Sequence, residues 1–456
     1  MSLHIVILAA GQGKRMNSAL PKVLQPLGDR PLLRHVVETA QALAPAAIHV
    51  VYGHGGERVQ QALADMPVRW VQQAEQLGTG HAVAQAIGDI PDQARVLVLY
   101  GDVPLVRANT LNHLVSAADN GALALLTVVL ADPTGYGRIV RDDDNRVQRI
   151  VEERDADSAE RHIHETNTGL LCAGAAALRD WLSRLTDDND QGEYYLTDCI
   201  ALAAADGVPV TAGQAASEAE TQGINNKLDL SRAERLFQRR QADALMAAGL
   251  TLRDPARFDL RGVLRAGRDT EIDVDVVIEG RVILGDNVFV GPHVVLKNCR
   301  IENDTRIESH SVVEGATIGA RCAIGPFARL RPDTVVADRA KIGNFVETKK
   351  TRLGEASKIN HLSYVGDARI GRDVNIGAGV ITCNYDGLSK HETIIEDGAF
   401  VGSDCQLVAP VTIGREATIG AGSTVTRNAP AEALTLSRVR QSTVAGWQRP
   451  SKKTTK

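Results

Sequence analysis

The sequence predicts two unlike domains in tandem: an α/β unit with a mostly parallel sheet and, beyond a single helix, a parallel β-helix. Three observations carry this. Apolar strands alternate with helical segments over residues 1–227, the pattern of strand–crossover–strand units. One amphipathic stretch, 228–250, matches neither flank. From Ile272 to Val425 an aliphatic residue recurs every six positions. Neither a helix nor an ordinary strand has that period, but a coil of short strands with roughly 18 residues per turn does.

In the first domain the strand candidates are 3–9, 47–52, 95–100 and 123–130, and the helical candidates 31–44, 81–87 and 109–120. The opening Met1-Ser2-Leu3-His4-Ile5-Val6-Ile7-Leu8 reads as a strand, with no basic segment or small-residue cleavage site of an export signal. In the linking stretch, Ser231 followed by Glu234 fits a capping box. Ala233, Leu236, Phe237, Ala244 and Leu245 fall on one side of that helix, and Gly249 marks its end.

The stripe of the second domain, 251–456, runs Ile272, Ile278, Leu284, Val290 and Leu296, slips by one residue, and resumes at Ile301. Gly or Asn is expected at the tight corners, and small residues such as Thr305, Ser311, Cys322 and Ser423 should fit beside the aliphatic ones. Beyond about 430 the hexads stop, and a tail ending in Lys452, Lys453 and Lys456 reads as solvated.

Composition excludes several classes. The chain of 456 residues is 44% hydrophobic but only 4% aromatic, so its cores must be built of Val, Ile, Leu and Ala. A net charge of −5 offers no global field for nucleic acid. No apolar run is long enough to span a membrane. The six cysteines form no Cys-x-x-Cys pair and read as free thiols of a cytoplasmic protein.

Three motifs mark the first domain. The first strand ends in Leu8-Ala9-Ala10-Gly11-Gln12-Gly13-Lys14-Arg15-Met16, with Lys22 close behind. Met16 occupies the place of the third glycine of a dinucleotide fingerprint, and no P-loop is present. What remains is a glycine-rich turn with two cations, suited to a polyphosphate. A tight turn with two solvated bases is the plainer alternative. Gln73-Ala74-Glu75-Gln76-Leu77-Gly78-Thr79-Gly80-His81 is a second glycine-rich turn opening a helix. Tyr100-Gly101-Asp102 closes a fully apolar strand, placing a carboxylate where open α/β sheets bind ligands and where a phosphate-bridging cation needs one.

With Gly135-Tyr136-Gly137-Arg138, Val151-Glu152-Glu153, Asn167-Thr168-Gly169 and Gly223-Ile224-Asn225-Asn226, this set resembles the sugar-nucleotide pyrophosphorylases, a nucleotidyltransferase family with a Rossmann-like, mostly parallel sheet. Followed by hexapeptide repeats, it resembles the bifunctional enzymes that join N-acetylglucosamine-1-phosphate uridyltransferase to glucosamine-1-phosphate N-acetyltransferase. The resemblance implies UDP-N-acetylglucosamine synthesis for cell-wall and lipopolysaccharide precursors, from glucosamine-1-phosphate, acetyl-CoA and UTP with Mg²⁺. It implies a uridine-nucleotide site of Leu8, Ala9, Ala10, Gly11, Lys22, Gln73, Gly78, Thr79, Tyr100 and Gly101, with Arg15 on the triphosphate. Gly137, Glu152 and Asn167 would hold the sugar, and Asp102 and Asn225 the metal.

In the repeat domain, function should lie where the stripe breaks. The breaks are Asn344 to Arg352 and the stretch Thr382-Cys383-Asn384-Tyr385-Asp386-Gly387 on to His391, which reads as a loop expelled from the coil. His361 lies between them, with Arg331, Lys349, Tyr364, Asn375, Asn384 and Tyr385 on surrounding rungs. An imidazole can accept a proton from an amine, and paired cations suit a sugar phosphate. A histidine in a coil can equally be a corner residue. Zinc is the weaker reading, because His293, His310, His361 and His391 show no ligand spacing. By its resemblance to trimeric hexapeptide acyltransferases, whose fold is a left-handed parallel β-helix, the domain implies a homotrimer with sites between neighbouring prisms. His361 would be the proton acceptor. Arg331, Lys349, Tyr364 and Asn375 would hold the amino-sugar phosphate; Ala378, Asn384, Tyr385, Ser403, Ala421 and Arg438 would hold acetyl-CoA. The enzymatic alternative is a single-activity sugar-nucleotide pyrophosphorylase with a structural or regulatory β-helix.

Overall fold

The computed structural model describes residues 1–11, 13–53 and 55–449, so Gln12 and the tail lysines Lys452, Lys453 and Lys456 lie outside the described residues. The chain divides into two compact units, Met1–Phe237 and Gln238–Lys456.

In the first unit the strands are β1 (Leu3–Ala9), β2 (Ala47–Tyr52), β3 (Arg69–Gln72), β4 (Arg95–Tyr100), β5 (Leu123–Val129), β6 (Arg138–Arg141), β7 (Val147–Val151), β8 (Glu165–Gly174) and β9 (Val210–Gln214). Helices α1 (Leu32–Gln41), α2 (Thr79–Ile87) and α3 (Ala108–Ala117) match the apolar periodicity. The sheet order is β9-β5-β8-β4-β1-β2-β3, with the β6–β7 hairpin attached to β8. Strand β1 pairs in parallel with β2 on one side and β4 on the other. The order therefore reverses beside β1, and its C-terminal end opens on a switch-point crevice. Antiparallel β8 between β4 and β5 has no counterpart in the sequence reading. A bulge between Asn167 and Leu171 breaks its two-residue alternation, which hid the strand.

His4 and His49 are both buried in this unit, and their ring nitrogens lie 3.3 Å apart. Burial, with His4 and Arg69 adding, holds His49 down to about 4 from its ordinary 6.5. The unfolded chain therefore takes a proton below about pH 6.5 that the folded chain refuses until about pH 4. Stability is complete above that window and is lost as pH falls through it, by roughly 3 kcal/mol at most. Urea unfolding at pH 7 and pH 5 should show this loss, and His49→Leu should shrink it.

Helix α4 (Lys227–Ala247) starts one turn earlier than a Ser231 cap requires. The cap is Asn226, whose Oδ1 accepts the Asp229 N–H at 2.9 Å while Asp229 accepts the Asn225 N–H at 3.0 Å. Ser231 lies inside the helix, and Glu234 instead accepts the Gly28 N–H at 2.7 Å. The buried face also differs from the expected one. Leu236 and Ala244 are exposed, whereas Gln238 is buried, bonding the main chain of Leu260 through both ends of its amide. Propensity and apolar spacing could not reveal that polar anchor.

The second unit is a parallel β-helix whose strands stack in register, as in Ile272 on Val290, Ile307 on Ile324 and Ile359 on Ile376. Cross-coil hydrogen bonds link residues 17 or 18 apart. In one coil the separation is 25, where the 384–391 segment is expelled. The aliphatic stripe is the core: Ile272, Ile318, Ile342, Val401 and Ile419 are all fully buried. Where the stripe breaks in sequence it continues in space, because Thr348 and Thr382 take the inward positions. Thr382 Oγ1 accepts the Gly366 N–H at 2.8 Å and donates to the Gly366 carbonyl at 3.0 Å. Thr382→Val leaves that buried N–H unpaired, at about 1–3 kcal/mol. A thermal melt of the variant should show the loss.

Left-handed corners are occupied not only by Asn and Asp, as at Asn287 and Asp304, but by His293, His310, Phe327 and Phe345. Those four stack in a column with ring centroids 4.7, 4.7 and 5.3 Å apart. Stacking offsets the strain of a bulky residue at positive φ. Among the described residues no helix is long and apolar enough to cross a membrane.

Candidate active sites

In the first unit, the C-terminal ends of β1 and β4 and the turn before α2 enclose a cleft of about 340 Å³. Leu8, Ala9, Ala10, Gly11, Lys22, Gln73, Gly78, Thr79, Tyr100 and Asp102 line it, all from the sequence reading. Gly78 has φ +109°, and a Cβ there would lie 2.6 Å from the Tyr194 carbonyl oxygen, so glycine is required. Gly101 packs behind the cleft, its N–H on the Leu8 carbonyl at 2.9 Å. Gln76, Val23, Ala82 and Glu193 also line the cleft. Gln76 stands in the quoted motif and donates to the Ala10 carbonyl at 2.6 Å. Glu193 carries no motif signal.

A second cavity of about 350 Å³ shares Lys22 and Gln76 with the first and adds Gly13, Lys14, Arg15 and Asn225. Lys22 Nζ is bonded to Asp102 Oδ2 and lies 3.3 Å from Asn225 Oδ1. A carboxylate and an amide oxygen thus converge on one cationic centre, though 123 residues apart in sequence. This donor set fits a hard divalent cation that takes its remaining oxygens from phosphates. Asn225 is held from both sides, by the Ile224 N–H on the Asp102 carbonyl at 2.9 Å and by its own N–H on Asp229.

Glu152 and Asn167 lie near Tyr100. Asn167 donates its N–H to the Gly137 carbonyl at 2.8 Å. Asn167, Gly169, Tyr100 and Thr197 line one small pocket. Glu152 accepts from Thr197 Oγ1 at 3.1 Å, and burial raises its carboxyl above the usual range. Glu153 goes elsewhere: it accepts from Arg138 at 2.6 Å, which holds it below that range. Burial, with Glu152 and Asp102 nearby, pushes the Tyr100 phenol up and keeps it neutral.

In the second unit, His361 and Asn344 are register partners, and His361 Nδ1 lies 2.7 Å from Asn344 Oδ1. The amide oxygen only accepts, so Nδ1 donates its hydrogen there, and Nε2 is the ring nitrogen left to exchange a proton with a substrate. Asn344 lay in the first quoted break but had no assigned role. Asn375 is on the same sheet as His361. Lys349, Tyr364 and the strand preceding Arg331 belong to the adjoining sheet, across the corner at 362–363. Lys390, from the expelled loop, approaches Lys349 and, with Arg331 adding, lowers the Lys349 ammonium from its ordinary value. Lys349 and Lys390 share one place, with Arg331 close by on its salt bridge to Glu347 at 2.8 Å and Asp367 facing Lys349, a setting for an anion. Lys390 lay inside the loop that the sequence singled out.

The Tyr364 hydroxyl and the Asn384 amide both come close to Gly366, where an added Cβ would meet them at 2.4 and 2.9 Å. Asn384 is fixed by Asp367 at 2.5 Å. Tyr385 donates to the Gly387 carbonyl at 2.6 Å and shapes the loop. Ala378, Ser403 and Ala421 stack on successive coils: the Asp404 N–H binds the Ala378 carbonyl at 2.7 Å, and the Gly422 N–H binds the Ser403 carbonyl at 2.8 Å. Arg438, beyond the last hexad, donates to the Ala421 carbonyl at 2.7 Å, which ties the tail to that column.

Residues 5–198 match the family described as the MobA-like NTP transferase domain. Residues 262–350 match the GMPPB C-terminal domain, and 392–427 the bacterial transferase hexapeptide of six repeats. Over nearly its whole length the chain is similar to proteins named bifunctional protein GlmU. That of Alkalilimnicola ehrlichii is 61% identical over 452 residues, covering 99% of this chain and 97% of its own. Those of Marinobacter nauticus and Methylococcus capsulatus are each 56% identical, with 99% of this chain covered and 99% and 98% of theirs.

Proposed function

The chain belongs to the family of the bifunctional GlmU proteins, and from that premise we infer that it makes UDP-N-acetylglucosamine in two transfers, one in each unit. The second unit acetylates glucosamine-1-phosphate; the first couples the resulting N-acetylglucosamine-1-phosphate to UTP. The observation that carries this is that each unit holds its own constellation. Lys22, Asp102 and Asn225 meet at the edge of the cleft in one, and in the other Asn344 holds the His361 ring while Lys349 and Lys390 come together on the adjoining side of the coil.

For acetyl transfer, the sugar amine attacks the thioester carbonyl. The C–N bond forms, the C–S bond breaks, and CoA leaves. His361 Nε2 takes the amine proton, while Asn344 fixes the ring and its tautomer. Arg331, Lys349, Tyr364 and Asn375 hold the sugar phosphate. Ala378, Asn384, Tyr385, Ser403, Ala421 and Arg438 hold acetyl-CoA.

For uridyl transfer, a phosphate oxygen of the acetylated sugar attacks the α-phosphorus of UTP in line, and pyrophosphate leaves with the bridging oxygen. Residues 8–11 with Gln73, Gly78 and Thr79 fix the nucleotide, and Gly137, Glu152 and Asn167 fix the sugar. Positioning supplies much of the rate. Lys22 and Arg15 offset phosphate charge. Asp102 and Asn225 are the residues that would hold Mg²⁺, which when bound draws charge from the phosphate oxygens.

The assembly is a homotrimer in which acetyl-transfer sites form between neighbouring β-helices. In support, the assigned side chains lie on both sides of a corner between two sheets of the coil. The enzyme works in the cytoplasm, where both co-substrates are made and its free thiols persist. A single-activity pyrophosphorylase would need neither the His361–Asn344 contact nor the expelled loop. Incubation with glucosamine-1-phosphate, acetyl-CoA, UTP and Mg²⁺ should release free thiol first and pyrophosphate after it. Release of one without the other would refute the two-step reading.

A further inference from the structure

The turn that carries Gly137 is held by an ion pair, buried at its arginine end, with no part in the chemistry described above. Arg138, at the start of β6, has a side chain only 2% exposed. Its guanidinium binds two partners: the carbonyl of Tyr136 and, at 2.6 Å, the carboxylate of Glu153 just beyond β7. Glu153 Oε2 also accepts the N–H of Gly135 at 3.1 Å. One carboxylate oxygen and one guanidinium therefore tie the Gly135 N–H and the Tyr136 carbonyl to the chain segment that follows β7.

Gly135 sits at φ +85°, so the turn has a conformation that needs holding. The tied segments are those that face the sugar. A Cβ on Gly137 would lie 2.9 Å from Ile150 Cγ2 and 3.5 Å from the Glu152 carboxyl carbon, so this turn and Glu152 share one narrow space. The Gly137 carbonyl receives the Asn167 N–H. Because Glu153 is committed to Arg138, its neighbour Glu152 is free to point to Thr197 and the pocket. The nucleotide cleft is built from other parts of the unit: the ends of β1 and β4 and the turn before α2. An ion pair with one partly exposed partner contributes little net stability, so what it supplies here is the geometry of the turn.

We propose that Arg138 and Glu153 form a positioning clamp that sets selectivity and affinity for the sugar phosphate while leaving UTP binding alone. The proposal rests on the uridyl-transfer reading of the same site. The test is steady-state kinetics of UDP-N-acetylglucosamine formation with each substrate varied in turn, on the full chain. Glu153→Ala should raise KM for N-acetylglucosamine-1-phosphate tenfold or more and leave KM for UTP within twofold of wild type. UTP titration of the variant reports whether the unit is folded. If Glu153→Ala loses UTP binding, Arg138→Lys replaces it with the same expectation, because lysine keeps a buried charge beside Glu153 but cannot also reach the Tyr136 carbonyl. In the folded variant, an unchanged KM for the sugar phosphate, or a parallel rise in both values, overturns the clamp. Wild-type protein run alongside separates the two ideas: failure to form product from N-acetylglucosamine-1-phosphate and UTP removes the uridyl-transfer reading itself.

Discussion

Asp102→Ala should abolish uridyl transfer while acetyl transfer proceeds at the wild-type rate. The carboxylate meets Lys22, which also bonds Asn225, where the first cleft adjoins the Arg15 cavity. Its removal takes away an oxygen of the proposed cation site and leaves Lys22 with Asn225 as its bonded partner. Charge stabilisation of this kind supplies several kcal/mol, so the rate should fall by about a thousandfold or more. The fold should survive. The contact that joins this turn to the 223–226 loop is the Ile224 N–H on the Asp102 main-chain carbonyl, which alanine keeps. Pyrophosphate release from UTP and N-acetylglucosamine-1-phosphate measures the first effect, and thiol release from acetyl-CoA measures the second. Equal loss of both in a folded variant would mean that the two transfers share a site.

His361→Ala should produce the mirror image. General-base catalysis typically contributes 10²–10⁴-fold, so thiol release should fall by about that factor. The side chain is exposed and bonds only Asn344 among the contacts described, so little packing is lost. The strand pairing of this coil runs through main-chain groups that alanine keeps. Uridyl transfer from supplied N-acetylglucosamine-1-phosphate should be unchanged.

Much of this was readable from residues, for physical reasons that differ between the units. The six-residue period exists because each coil needs one inward aliphatic side chain per short strand, so the β-helix announced itself. The nucleotide cleft was readable because it is lined by short motifs at strand ends. Other features left no linear trace. Antiparallel β8 is hidden by its bulge at Asn167. Thr348 and Thr382 fill core positions that look like gaps in the stripe, since a buried threonine with bonded hydroxyl cannot be told from a surface one by type. Ser231 and Glu234 had the spacing of a capping box, yet Asn226 reached the helix start first. Glu193 and Thr197 join the first site through folding alone, from a segment with no motif.

Asp102→Ala and His361→Ala proteins mixed together, each inactive for the overall conversion, offer the most direct measurement. With glucosamine-1-phosphate, acetyl-CoA, UTP and Mg²⁺, the first should release N-acetylglucosamine-1-phosphate and the second should consume it. Two independent sites joined by a diffusible intermediate require UDP-N-acetylglucosamine to appear in the mixture after a lag. Absence of product in the mixture, with each variant retaining its own half-reaction, would contradict them.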